Sequence, residues 1–329
     1  MKNKVLLILT ILLLPIMTYA GGQKEETGTI KIGISKIVEH PALNAIEQGI
    51  QDELADLGYT NIEYDLQNAA GDMNTAAQIA AKFKMEKVNV AIGIATPTAI
   101  ALATGIKDIP VVFSAVTDPI DAGLVDDFTS GKNNITGVSD MTPVKEQIKL
   151  MAKILDIKTL GHIYTAGEPN AVKLAEMAEA TAAELGMKFV AAAVSNSSEV
   201  TQAALSIVGK VDAIYISTDN TVVSGLGSVV ATAMKAGVPV ITADPTSAAD
   251  SGVLAAYGFD YYKHGRLTGR LVDRVLKGED PATIPTQFMT DESDLTLVLN
   301  LDVAKELGIT ISADLIKQAS TIIENGQVK

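Results

Sequence analysis

The sequence predicts an α/β fold of two lobes, each an open, mostly parallel sheet flanked by helices, with the lobes facing a shared cleft. Two observations carry that reading. Segments that are apolar on both faces alternate with helical runs along most of the chain, the pattern of parallel strands covered by helices on both sides. One unit also occurs twice. Residues 87–119 and 210–245 each run strand, Gly/Ala/Thr-rich helix, strand, and each ends in a polar cluster with an Asp-Pro, Asp118-Pro119 and Asp244-Pro245.

Residues 30–37 read as the first strand, and helical periodicity over 41–57 stops at Gly58. A strand at 62–66 precedes a helix at 74–84, which Asp72 is placed to cap. Strand 88–94, helix 97–105 and strand 110–113 complete the first run. After Asp140 the alternation resumes with helices at 144–155, 171–185, 199–208 and 222–236, and strands at 160–164, 188–193, 213–216 and 238–241. The strand–helix step at 254–257 and 262–276 is too small to bury its own core, so it is expected to join the first lobe. Residues 287–299 would then cross back, leaving 303–307 and 315–323 against the second lobe. The expected division is therefore an export signal at 1–20, a flexible leader at 21–29, lobe 1 at 30–116 and 254–283, and lobe 2 at 117–253 and 284–329. Crossings near 116–118, 244–254 and 280–300 would form the hinge.

Residues 1–20 carry Lys2 and Lys4, an apolar core over 5–14, and Thr18-Tyr19-Ala20 as a small-x-small cleavage site. The apolar stretch falls short of the ~20 residues a spanning helix needs. With no cysteine in the chain, disulfides, cysteine metal sites and a thioether lipid anchor are excluded, which predicts a free protein in a periplasm-like space. The formal net charge of -13 and the absence of a basic aromatic patch argue against nucleic acid and anionic membrane surfaces.

Chemistry is conspicuous by what is missing. No P-loop, dinucleotide fingerprint, G-x-S-x-G elbow or H-E-x-x-H is present, and Gly225-Leu226-Gly227 lies inside a helical run. His162 sits in an apolar strand as a structural residue, and His264, beside Lys263 and Arg266, is expected at a helix surface or as a cap. No cofactor is expected and no enzyme is read. Instead, polar clusters recur where strands end, the edge at which ligands of open α/β sheets collect. Thr96, Thr98 and Ser114 offer hydroxyls and helix-start amides suited to a carboxylate. Asp219 and Asp244 are candidates for an ammonium, and Asn220 can serve either end. Tyr257, before Gly258, is the preferred aromatic contact. The set fits a small zwitterion better than a phosphate or nucleotide, because these loops carry no lysine or arginine. Asp219→Ala and Asn220→Ala are expected to lose binding without unfolding.

Seven segments taken in order resemble one family: Glu39-His40-Pro41-Ala42-Leu43, residues 67–72, Ile94-Ala95-Thr96-Pro97, Val116-Thr117-Asp118-Pro119, residues 134–140, Thr218-Asp219-Asn220-Thr221 and residues 257–262. The chain is similar, from about 30 to 309, to solute-binding proteins of ABC importers related to the tryptophan-binding protein. That resemblance implies a type I periplasmic-binding fold that closes on its solute. It also implies partnership with a membrane permease and, as ligand, an aromatic amino acid. A branched-chain or other small amino acid, a sugar, or a sensory receptor role are the alternatives, and neighbouring permease or sensor genes would separate importer from receptor. The resemblance implies contacts from Glu39, Thr96, Ser114 and Asp118 on one lobe and from Asn170, Asp219, Asn220 and Thr221 on the other. A monomer is expected. Where the family pattern leads one to expect Gly-Glu-Ser, this chain has Asp244-Pro245-Thr246, one methylene shorter at the acid.

Overall fold

The computed structural model describes residues 28–248 and 251–329. The expected export signal, and all but the last two residues of the expected leader, lie outside them. The chain builds two sheets. The first contains β1 (Ile30–Lys36), β2 (Ile62–Asn68), β3 (Val90–Ile94), β4 (Val111–Ser114), β5 (Ile135–Ser139) and β11 (Gln287–Phe288), in the order β11-β5-β4-β3-β1-β2. Every pair in it is parallel. The second contains β6 (Thr159–Thr165), β7 (Lys188–Val194), β8 (Ala213–Ile216), β9 (Val240–Thr242), β10 (Ala255–Phe259), β12 (Leu295–Asn300), β13 (Thr321–Glu324) and β14 (Gln327–Val328), ordered β14-β13-β12-β10-β9-β8-β6-β7. Only its β10–β12 and β13–β14 pairs are antiparallel.

Helices cover both sheets: α1 (Pro41–Asp56), α2 (Met73–Glu86) and α3 (Thr96–Gly105) on the first, and α4 (Val144–Ile154), α5 (Pro169–Glu184) and α6 (Val200–Ile207) on the second. The central strands read as unbroken apolar runs because both faces are covered: β3 and β4 are buried throughout, and Ile32 and Ile34 are inaccessible. Each such aliphatic side chain contributes roughly 1.5–3 kcal/mol by leaving water.

Two expectations about the division are corrected. Residues 135–139, assigned to the second lobe, pair with β4 in the first sheet, and residues 255–259, assigned to the first lobe, pair with β9 and β12 in the second. The chain thus leaves the first sheet after Ser139, not near 116–118, and returns after Phe259, not within 244–254. The stretch after β4 stays with the first lobe because Asn134 Nδ2 donates to the Ile106 and Ile109 carbonyls and Val111 N–H donates to the Asn134 carbonyl. A last crossing lies between Phe288 and Leu295.

The helix expected at 222–236 is two helices, α7 (Asn220–Ser224) and α8 (Leu226–Lys235), divided at Gly225, where a Cβ would press on Val200 at 3.2 Å. A short α9 (Pro245–Ala248) follows β9. After β10, α10 (Tyr261–Leu276) returns to pack along α1. Glycines permit the approach: a Cβ at Gly49 would lie 2.4 Å from the Tyr262 carbonyl oxygen, and one at Gly265 2.3 Å from that of Ile46. This crossing buries the face carrying His264 and Thr268, so His264 is not on the surface: it is inaccessible, with Nδ1 3.4 Å from Ser114 Oγ. The chain closes with α11 (Leu301–Glu306) and α12 (Ala313–Gln318) on the second lobe.

Candidate functional site

The carboxyl ends of the strands from both sheets meet at one small chamber, the edge at which ligands of open α/β sheets collect. The first lobe and its exits supply His40 before α1, Ala42 and Leu43 in its first turn, Ala115 and Thr117 after β4, Asp140 after β5, and Tyr261 opening α10. The second lobe supplies Asn170 on α5, Thr218, Asp219 and Asn220 between β8 and α7, Val223, and Asp244 after β9. Ala115 holds φ at 54°, a left-handed conformation unusual for a residue with a Cβ, which turns the chain sharply at the chamber wall.

Of the residues singled out in the sequence, Asn170, Asp219, Asn220 and Asp244 line this chamber. The others do not. Glu39 is exposed and binds Lys36 and Asn68. Thr96 is buried beneath the wall, and Thr98 donates back to the Ile94 carbonyl at 2.6 Å. Ser114 pairs with Thr268 Oγ1 at 2.7 Å. Asp118 accepts from the Ile120 and Asp121 amides, each at 3.1 Å, and forms a 3.3 Å ion pair with Lys173 of α5. Thr221 stands one residue behind, donating to Glu168 at 2.7 Å. Tyr257 lines a separate groove with Leu150, Leu295 and Leu297.

His40, Thr117, Asp140 and Tyr261 stand in segments that carry the family resemblance but were not among the expected ligand contacts, and Glu168 was read as loop. Glu168 organises the second-lobe wall: its carboxylate accepts from Asn220 Nδ2 at 2.5 Å, from the Thr221 amide at 3.2 Å and from Asn170 Nδ2 at 3.4 Å. Asp219 is equally committed. It accepts from the Thr165 amide at 2.6 Å, the Thr165 hydroxyl at 2.8 Å and the Val222 amide at 2.9 Å. Burial, and then the neighbouring Glu168 carboxylate, push its acid up to about 7.

Asp140 accepts from the Tyr261 hydroxyl at 3.0 Å and, loosely, from Thr117 Oγ1 at 3.4 Å; burial pushes it up to about 6. Asp244 accepts from the Ser247 amide, at 3.1 Å on Oδ1, and burial raises its acid. Among the described residues its Oδ2 has no hydrogen-bond partner, and neither do Asn170 Oδ1, Thr218 Oγ1 or His40 Nδ1. Burial holds His40 down at about 4, so its ring is neutral at pH 7. Leaving such atoms unpaired costs ~1–3 kcal/mol each, so a polar group entering the chamber recovers that cost. Among the described residues no group of three or more His, Asp or Glu could hold a metal ion.

Comparison with known proteins agrees with this architecture. Residues 31–323 match the family described as ABC transporter substrate binding protein. A tyrosine-binding protein of Clostridioides difficile is 37% identical over 306 residues, spanning 91% of this chain and 88% of that protein. The structure of an ABC domain from Streptococcus pneumonia in complex with L-Trp is 34% identical and superposes with a TM-score of 0.86 over 90% of this chain and all of that one. A ligand-free, open substrate binding protein of Clostridium difficile, 35% identical over 87% of this chain and 97% of its own, superposes at only 0.65. At near-equal identity the chain therefore superposes more closely on the L-Trp complex than on the ligand-free, open form.

Proposed function

The chain belongs to the ABC transporter substrate binding protein family, and from that premise we propose that its chamber takes an aromatic amino acid for delivery to a membrane permease. As a member it is the solute-binding component of an ABC importer for a small molecule, a transport protein and not an enzyme. The observation that carries the ligand reading is the unequal division of the chamber. One side offers unpaired acceptors, Asp244 Oδ2 and Asn170 Oδ1. The other holds the start of α1, which no side chain caps and which has no acid in its first turn, so the amides of Ala42 and Leu43 are available to a carboxylate. An ammonium on the first and a carboxylate on the second make a zwitterion the natural occupant. The apolar wall of Leu43, Val223 and the ring of Tyr261 suits an aromatic side chain. The tyrosine-binding relative and the L-Trp complex support the same class.

In this reading the ligand favours the closed form through its greater affinity for it, and the permease recognises that form. The mature chain works as a monomer, free in the periplasm after loss of residues 1–20. The test is calorimetric titration of refolded, solute-stripped protein against all twenty amino acids, ribose and galactose. One-to-one binding of tryptophan, tyrosine or phenylalanine is expected. Silence across the amino acids from a folded sample overturns the proposal, and a response to a sugar alone replaces it. The chain has no tryptophan, so bound L-Trp is also visible by its own fluorescence.

A further inference from the structure

Four acids crowd one chamber whose described walls carry no lysine or arginine. Asp140, Asp219 and Asp244 line it, each at most 3% exposed, and Glu168 stands directly behind. Their commitments differ. Asp219 and Glu168 spend their oxygens on the amides and hydroxyls of β6, α5 and α7. Asp140 and Asp244 do not: Asp140 accepts one good hydrogen bond, from Tyr261, and Asp244 leaves Oδ2 without a partner in a fully enclosed position. A carboxylate can accept about four hydrogen bonds, so both retain capacity. They also come from different sheets, Asp140 from the exit of β5 and Asp244 from the end of β9, and both act electrostatically on the same Tyr261 hydroxyl.

We propose that Asp140 and Asp244 form a single cation seat spanning the two lobes, so that the ligand's ammonium is the obligatory recognition element and its carboxylate is secondary. This deepens the amino-acid reading and rests on the same chamber. The asymmetry follows from charge. The ammonium meets two buried carboxylates of opposite sign, one from each sheet, whereas the carboxylate meets only the partial positive charge of one helix start. Of the other titratable or charged groups facing the seat, Asp219 changes charge in the same pH range and adds to the proton release, and the rest leave this balance intact. Tyr261 donates to Asp140, with Tyr215 behind it; Asp219 and Glu168 are acids; His40 is neutral; and Lys36, the nearest base to His40, is held by Glu39 and Glu47. His264, packed against Tyr261, is buried and also neutral at pH 7. Without a cation, burial favours the protonated acids. Seating an ammonium therefore expels protons, and binding weakens as the pH falls below about 6.

The test compares ligands differing only in the amine. L-tyrosine with tyramine and 3-(4-hydroxyphenyl)propionate, and L-tryptophan with tryptamine and indole-3-propionate, are titrated at pH 5, 6, 7 and 8 in two buffers of different ionisation enthalpy. The amines are expected to bind within roughly tenfold of the amino acids, and the deaminated acids roughly a hundredfold or more weaker, the scale of a charge-assisted contact. Net proton release at pH 6 is expected, and Asp140→Asn should reduce it. Binding of the deaminated acids as tight as the amino acids, or a proton count unchanged by Asp140→Asn, overturns the seat while leaving the amino-acid function standing. Amines that bind where amino acids do not overturn the zwitterion reading and leave the seat standing.

A ligand-free measurement covers the case in which nothing binds. Asp140 is held protonated to about pH 6 in the folded chain but ionises near its ordinary 3.8 when unfolded, so raising the pH through that window costs the native protein stability. Asp140→Asn escapes the cost: its melting temperature relative to native should climb from about pH 4 to about pH 6 and level off above. A pH-independent difference overturns the uncompensated seat without reference to any ligand.

Discussion

The turns into α7 and α9 look interchangeable in the sequence. Each places an aspartate just beyond a strand of the second sheet and immediately before a helix, Asp219 after β8 and Asp244 after β9. Both are buried, both line the chamber and both cap the helix they precede. Their surroundings separate them. Asp219 also ties β6 to β8 through the amide and hydroxyl of Thr165. Asp244 caps α9 with one oxygen and leaves the other unmet. A strand-end acid whose two oxygens are both taken up by the protein builds the wall, and one that keeps an oxygen back can receive a ligand.

The largest way to break this comparison is Asp219→Ala. The change strands the Thr165 amide, its hydroxyl and the Val222 amide together, at ~1–3 kcal/mol for each buried donor less what local relaxation recovers. A loss of about 3 kcal/mol in chemical denaturation is expected. The earlier expectation that this variant stays folded and loses only binding is therefore revised: the binding defect should follow from a damaged wall. Asp244→Asn is expected to do the opposite. Its Oδ1 can still cap α9, so stability should stay within about 1 kcal/mol, while affinity for an amino acid falls roughly ten- to a hundredfold. Equal stability losses in the two variants, measured side by side, would erase the distinction.

The alternation of strands and helices, and the rule that ligands gather at the carboxyl ends of parallel strands, were legible in the sequence, and they placed Asn170, Asp219, Asn220 and Asp244 at the chamber. The division of labour was not, because it depends on hydrogen bonds between residues about fifty apart, as in Thr165–Asp219 and Glu168–Asn220. Asp140 was not singled out because no strand was read at 135–139, which hid its place at a strand end. Glu39 and Asp118 were misread for a simpler reason: an acid in a loop beside a cleft has nearby cations and amides that claim it first. Lys36 binds Glu39, and Lys173 binds Asp118.

That second pair yields a smaller prediction. Lys173 belongs to the second lobe, whereas Asp118 and Asp121 follow β4 in the first, so the ion pairs of 3.3 and 2.5 Å join the lobes in this arrangement. Lys173 is about one-third exposed, and such pairs contribute up to ~1 kcal/mol before screening by salt. Lys173→Gln should weaken ligand binding roughly two- to fivefold without touching the chamber, through loss of a contact specific to closure. Native affinity should fall between low and high salt more than that of the variant. Parallel salt curves would show that the pair plays no part in closing.

The smallest expected effect separates two tyrosines four residues apart. Tyr257 was read as the aromatic contact because Gly258 looked like the end of the strand. Gly258 instead sits within β10, where a Cβ would lie 2.0 Å from the Ala243 carbonyl oxygen, so the glycine marks close packing and the strand runs on to Phe259. The strand end, and with it the chamber, is reached at Tyr261. Tyr257 faces the groove beside α4, where Gln147 donates to its carbonyl at 2.7 Å. Tyr257→Leu should therefore leave affinity within about twofold of native, the scatter of a substitution remote from a site. Tyr261→Leu removes a chamber wall and the hydroxyl on Asp140 together, and should weaken binding at least tenfold by the same titration. A reversed ranking would return the aromatic contact to Tyr257 and move the binding site out of the chamber where the two sheets meet.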